Sequence, residues 1–179
     1  MEFEKVIKNR KATRRFSDKP IPQEVLNNIL EAGRLAPTAK NIQPIKIYIV
    51  SSEGGLKVID KASPCRYNAP VVLIICGNKK EAFKKGNHST YEIDSSIVAT
   101  HIMLAATDNG VSNIWIDMFD RDILKKELKI DDDFIPVCMM PIGYKSKVCP
   151  PSPFHKIRKN IKKIVEYRWV WKKYLYIIV

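Results

Sequence analysis

The stretch Asn9-Arg10-Lys11-Ala12-Thr13-Arg14-Arg15-Phe16 sets the reading of this chain. It crowds Arg10, Lys11, Arg14 and Arg15 together directly after Phe3, Val6 and Ile7. Those three recur at i, i+3, i+4 spacing, which predicts a short amphipathic helix leading into the cations. Thr13 and Phe16 interleave the charges with less polar side chains and can anchor the segment. An anchored cation cluster suits an anion removed from water, and arginine suits a phosphate because its donors form a flat fork. A solvated basic helix end, complementing the helix dipole, is the other reading of the same residues.

The rest of the chain narrows the choice. Its 179 residues, 45% of them hydrophobic, are enough for one domain with a sizeable core, expected to span residues 1–179. No apolar run approaches the ~20 residues that cross a bilayer. The N-terminus is charged from Glu2 and has no apolar signal segment. Cys65, Cys76, Cys138 and Cys149 are scattered, and Cys76 and Cys138 lie in apolar runs. Buried free thiols and a cytoplasmic setting are therefore expected. The net charge of +12 is uneven: residues 144–179 hold ten Lys/Arg against Glu166 alone. Such a tail fits a nucleic-acid partner, a phosphate-bearing cofactor or a solvated basic helix.

A helix is expected to follow Ile21-Pro22-Gln23 and run to about Leu35, with Pro22 at its first turn and Val25, Leu26, Ile29 and Leu30 inward. A polar loop bracketed by Pro37 and Pro44 then enters a strand at Ile45–Val50. A short helix over 54–61, a buried strand over 71–77, a surface loop over 79–88 and a largely apolar helix over 94–109 come next. His101, on that helix, reads as a hydrogen-bonded structural residue. A strand over 113–119, a helix over 121–128 capped by Asp120, a strand over 136–144 and a basic helix over 161–169 complete the expectation.

Several chemistries lack their signatures. There is no G-x-G-x-x-G, Walker A loop or G-x-S-x-G elbow. His88, His101 and His155 have no metal-ligand spacing, and Asp131-Asp132-Asp133 lacks the rest of a calcium loop. An enzyme built this way leaves the difficult chemistry to a cofactor whose phosphate is held by side-chain cations.

Three stretches together resemble the flavin-dependent nitroreductase family. Arg10-Lys11-Ala12-Thr13-Arg14-Arg15-Phe16 is similar to its opening R-R-S-x-R-x-F/Y. Ala36-Pro37-Thr38-Ala39-Lys40-Asn41-Ile42-Gln43-Pro44 is similar to its A-P-S-x-x-N-x-Q-P-W loop. Gly143-Tyr144 with the later Lys156-Ile157-Arg158 is similar to its closing G-Y-P and K/R-x-R. The resemblance implies an α+β fold with a central mixed sheet flanked by helices. It implies a homodimer with interlocked termini and FMN at the interface; residues 170–179, with Leu175, Ile177 and Ile178, fit either a dimer-wrapping tail or a frayed end.

By position, Arg10, Lys11 and Ala12 would line the FMN phosphate and ribityl chain, with Lys156 and Arg158 closing on the phosphate. Arg14 would sit near the polar edge of the ring. Thr38, Ala39, Asn41 and Gln43 would reach the flavin from the other subunit, and the main chain of Ile116 and Asp117 would lie near N5. The implied activity is that of an NAD(P)H oxidoreductase, with NADH or NADPH as donor and a small nitroaromatic, quinone or similar molecule as acceptor. Hydride would pass through flavin N5 in a ping-pong scheme, and no protein side chain would act as nucleophile.

The chain departs from the family pattern at four places: Ala12 for Ser, Ile45 for an aromatic, Asp117 for Gly and Lys145 for Pro. Two alternatives stand beside this reading. One is a basic nucleic-acid-binding module resting on the charged tail. The other is a flavoprotein of the same fold with another redox reaction, such as dehalogenation.

Overall fold

The computed structural model describes residues 2–150 and 152–168. Its centre is strand β2, Val71–Asn78, every residue of which is buried. Antiparallel β1 (Ile45–Val50) lies on one side of it and antiparallel β6 (Phe134–Gly143) on the other. A two-residue strand β5, Ser112–Asn113, completes the order β1-β2-β6-β5. The parallel component is a single bridge from Ala12 to Asn113.

The alternation of side chains along β2 explains its unbroken apolar run. Val72, Ile74 and Cys76 enter one cluster with Ile59 of α3 (Glu53–Ala62) and Leu124 of α5 (Arg121–Glu127). Val71, Leu73 and Ile75 enter a second cluster with Ile29 of α2 (Gln23–Arg34) and Val98, Ile102 and Ala106 of α4 (Tyr91–Asp108). The sheet is thus covered on both faces, and an amphipathic alternation would be wrong for it. Cys76 and Cys138 are free and fully buried, and burial pushes the Cys76 thiol up to about 12. Asp120 caps α5, accepting from the N–H groups of Asp122 and Ile123, and Ser52 caps α3 through Gly55 N–H.

The structure revises several local expectations. The strand expected over 113–119 shrinks to Ser112–Asn113. Ile114 N–H donates to Pro141 O, but a proline has no N–H to return, so the ladder breaks and resumes only as the Ile116–Met139 bridge. Pro136 has the same effect opposite β2, where the register shifts between Ile75 and Cys76. The basic helix expected over 161–169 is one 3-10 turn, Ile161–Lys163. Ile161 and Ile164 are exposed, and a short helix without packing for its apolar face is not stable in water. Trp169 and the candidate dimer-wrapping tail fall outside the described residues. The surface loop folds as a small hairpin, β3 (Lys84–Lys85) with β4 (His88–Ser89), turned at Gly86 with φ +60°. Pro22 stands one position before the first helical residue of α2. His101 is half-buried, and its imidazole makes no hydrogen bond among the described residues.

Two helices present apolar side chains outward. In α1 (Phe3–Asn9) only Val6 is buried, leaving Phe3 69% and Ile7 51% exposed. In α4, Ile93, Ser96, Ile97, Thr100 and His101 line an open cleft of about 490 Å³ on the side away from the sheet. Among the described residues, no helix is long and apolar enough to cross a membrane.

Candidate functional site

Residues 10–17 leave α1 as an extended strap tied to three separate segments. Thr13 N–H donates to Asn113 O at 3.0 Å, Phe16 N–H to Tyr67 O at 3.2 Å and Ser17 N–H to Tyr144 O at 2.8 Å. Ser146 N–H returns a bond to Arg15 O. The buried Thr13 and Phe16 anchor it, so the cations between them project from a fixed frame. The bond to Asn113 is made by Thr13, so the Ala12 N–H is not spent on it.

Arg10 is half-buried, and its guanidinium is held below its ordinary pKa, first by burial and then by the positive charge of Arg158. The start of the chain and its basic tail therefore meet. Arg158 is braced on its own segment, its Nη1 donating to the carbonyls of His155 and Ile157 at 2.7 Å each. Among the described residues none of Arg10, Lys11, Lys156 and Arg158 forms an ion pair with a carboxylate. Other basic side chains do, as in Arg34–Glu31 and Arg66–Asp60. Neighbouring cations without a carboxylate partner fit an anion such as a phosphate, which accepts several charge-assisted bonds at once.

Arg14 reaches the Tyr67 phenol. That phenol is raised in pKa by hydrogen bonding to Cys65 and by burial, with Arg14 acting in the opposite sense. Tyr67 and Asn68 both have positive φ, 55° and 62°. Sequence reasoning missed Tyr67, because nothing in an isolated tyrosine announces a left-handed turn beneath an arginine.

The loop 38–43 lies elsewhere. It joins α2 to β1 through a 3-10 turn, Ala39–Asn41. Thr38 Oγ1 accepts from Gln43 N–H at 2.9 Å, and Ala39 N–H donates to Asp94 Oδ1 at 2.9 Å. Thr38 and Gln43 border a cavity of about 200 Å³ that reaches Leu30, Gly33 and Val98. Asp94 belongs to the first turn of α4, whereas the strap is tied to Asn113, just past its last turn. An 18-residue helix is about 27 Å long. Within one chain, the loop and the Arg10 cluster therefore stand at opposite ends of α4.

Ile116 is buried, and its N–H and C=O are both bonded to Met139, at 2.9 and 3.0 Å. That pairing leaves the Asp117 N–H unspent. The Asp117 carboxylate accepts from Trp115 Nε1 at 2.7 Å and is exposed, turned onto the indole.

This geometry can be set against known proteins. The profile of the Nitroreductase family matches residues 7–64 and 60–144. The chain belongs to the nitroreductase family. A nitroreductase family protein of known structure from Clostridium difficile 630 is 32% identical, superposes with a TM-score of 0.87, and is matched over 95% of this chain and 100% of that one. A protein of Methanothermobacter thermautotrophicus (strain Delta H), provisionally named NADH dehydrogenase/NAD(P)H nitroreductase, is 27% identical over 151 residues, 80% of this chain and 78% of that protein. A third nitroreductase-fold protein, from Exiguobacterium sibiricum 255-15, was solved in complex with FMN. It is 22% identical, with a TM-score of 0.81 over 94% of this chain and 98% of that one. The α+β nitroreductase fold implied by the opening motif is the fold observed.

Proposed function

We propose that this nitroreductase is an FMN-dependent NAD(P)H oxidoreductase that works as a homodimer. The observation that carries the reading is the proximity of Arg10 and Arg158: two cations, one half-buried, close enough to repel, and among the described residues neither forms an ion pair with a carboxylate. The FMN held by a neighbour of the same fold and the names of the relatives support it. FMN would supply the redox chemistry, taking electrons from NADH or NADPH and passing them to a small organic acceptor such as a nitroaromatic or quinone.

The chain's own residues would hold and shield that group. Arg10, Lys11, Lys156 and Arg158 would bind the phosphate, with the Ala12 N–H as a further donor. Arg14, steadied against Tyr67, would offer positive charge to the polar edge of the ring and stabilise negative charge there. The Asp117 N–H, more than that of Ile116, would be the main-chain donor beside the ring. Thr38, Ala39, Asn41 and Gln43 would complete the site from a second subunit.

The dimer follows from the separation along α4. An antiparallel twofold pairing of two α4 helices would set the first turn of one against the last turn of its mate. The loop of one chain then lies by the Arg10 cluster of the other. The open cleft along Ile93, Ile97 and Thr100 is the apolar face such a pairing would cover. Ile97→Glu is expected to shift the sedimenting mass from twice 20.6 kDa to 20.6 kDa and to release FMN with it. A monodisperse dimer that keeps its flavin in this variant would remove α4 from the interface.

The direct test is an absorbance spectrum of the purified protein before and after NADH or NADPH, followed by turnover with nitroaromatics and quinones. Yellow protein, bleached by either donor and releasing FMN on denaturation, is expected. Colourless protein that takes up no added FMN would refute the reading.

A further inference from the structure

The loop 38–43 has an unusually uncomfortable backbone. Lys40, Asn41 and Gln43 have φ of 53°, 54° and 56°, in the left-handed region that L side chains avoid. Strain of this kind persists only where the surroundings over-determine it. The bonds inside the loop cannot do so alone, because Asn41 N–H to Thr38 O and Gln43 N–H to Thr38 Oγ1 would turn with it.

Three ties reach outside. Asn78 N–H donates to Pro44 O at 2.7 Å, at the loop's exit. The Lys40 ammonium sits 4.5 Å from the centre of the Phe83 ring. Ala39 N–H donates to Asp94 Oδ1, and that carboxylate is only 1% exposed. Its other oxygen accepts from Thr90 Oγ1 at 2.8 Å, and Thr90 N–H donates to Phe83 O at 3.0 Å. Phe83, Thr90 and Asp94 thus form one clasp gripping Ala39 and Lys40. The first turn of α4 favours a carboxylate electrostatically, so the clasp is stable where it stands.

We propose that Asp94 is a positioning residue whose buried carboxylate holds loop 38–43 in the conformation that lets its donors serve a cofactor in the partner's half-site. The link to the flavin rests on the function proposed above; the link to the loop's shape does not. Asp94→Leu keeps roughly the size and removes both acceptor oxygens. Ala39→Pro removes the donor without touching Asp94, and Thr38 is already extended (φ −132°, ψ 160°), as a residue before proline must be.

Two readouts separate the claims. In the flavin-free protein, amide exchange at Asn41 and Gln43 should quicken about tenfold in either variant, and FMN should bind about tenfold more weakly, the scale of one lost charge-assisted hydrogen bond. The double variant should be no worse than the worse single one, since both remove the same bond. Wild-type exchange rates in folded Asp94→Leu would overturn the proposal. Faster exchange with unaltered FMN affinity would overturn the loop's part in the flavin site. Should the wild-type protein take up no FMN, the functional reading fails, and the exchange rates still decide what Asp94 does.

Discussion

Arg10→Ala is expected to weaken FMN binding about 10- to 100-fold, the scale of one or two charge-assisted hydrogen bonds lost from a phosphate. The sign of its effect on the empty protein separates this role from a structural one. Arg10 has no carboxylate partner among the described residues, and burial and then the charge of Arg158 disfavour its own charge. Removing it relieves that repulsion. The flavin-free variant should therefore melt at or slightly above the wild-type temperature. The increment in melting temperature from saturating FMN should shrink, because that increment follows the affinity. A residue that merely held α1 against the strap would lower both. Arg158→Ala should follow Arg10→Ala in direction, since the two cations would share one anion. Fluorescence titration of flavin-free protein with FMN measures the first effect and thermal denaturation the second. Wild-type affinity in both variants would place the phosphate elsewhere.

Ile74→Ala should do the reverse. Ile74 lies at the middle of β2, fully buried, opposite Tyr48 on β1 and Met139 on β6. Its side chain belongs to the cluster under α3 and α5, on the face of the sheet away from α4. Truncating a side chain so enclosed leaves a cavity and costs about 2–5 kcal/mol. For a chain of this length each kcal/mol lowers the melting temperature by about 2–4 °C, so a fall of roughly 4–20 °C is expected. The folded fraction should bind FMN much as the wild type does, because the strap joins this cluster through Phe16 and Ala12 and not through its cations, and the loop 38–43 is tied to α4 on the other face. A fall of less than about 3 °C would show that the cluster collapses around the gap, against the close packing assigned to it. Together the two variants divide the protein into a part that holds the fold and a part that holds the anion.

Much of this was legible from residue order. The unbroken apolar run of β2 and the mostly apolar α4 announced a covered sheet and a helix with few wet faces. Yet α4 keeps an open cleft along Ile93 and Ile97 in the single chain. Asp120 announced the start of α5 and does cap it. The motif around Arg10 pointed to the family. Other features were invisible for definite reasons. The end of the β5 ladder depends on Pro141 sitting opposite Ile114, a matter of register between strands. The expected helix over 161–169 had charge and some periodicity, but in the chain no surface covers Ile161 or Ile164. Nothing in residue order marked Asp94; its bond to Ala39, 55 residues away, comes from how the chain brings the loop after α2 against the start of α4.

Periodicity and residue chemistry were enough to specify which segments are buried, which are charged and which family's pattern they follow, because those properties are written in neighbours a few positions apart. The meeting of Arg10 with Arg158, and the placement of the loop 38–43 at the far end of α4 from them, depend on how segments distant in the chain come to rest against one sheet. Contacts of that kind arise only when the whole chain packs at once, so no local pattern contains them.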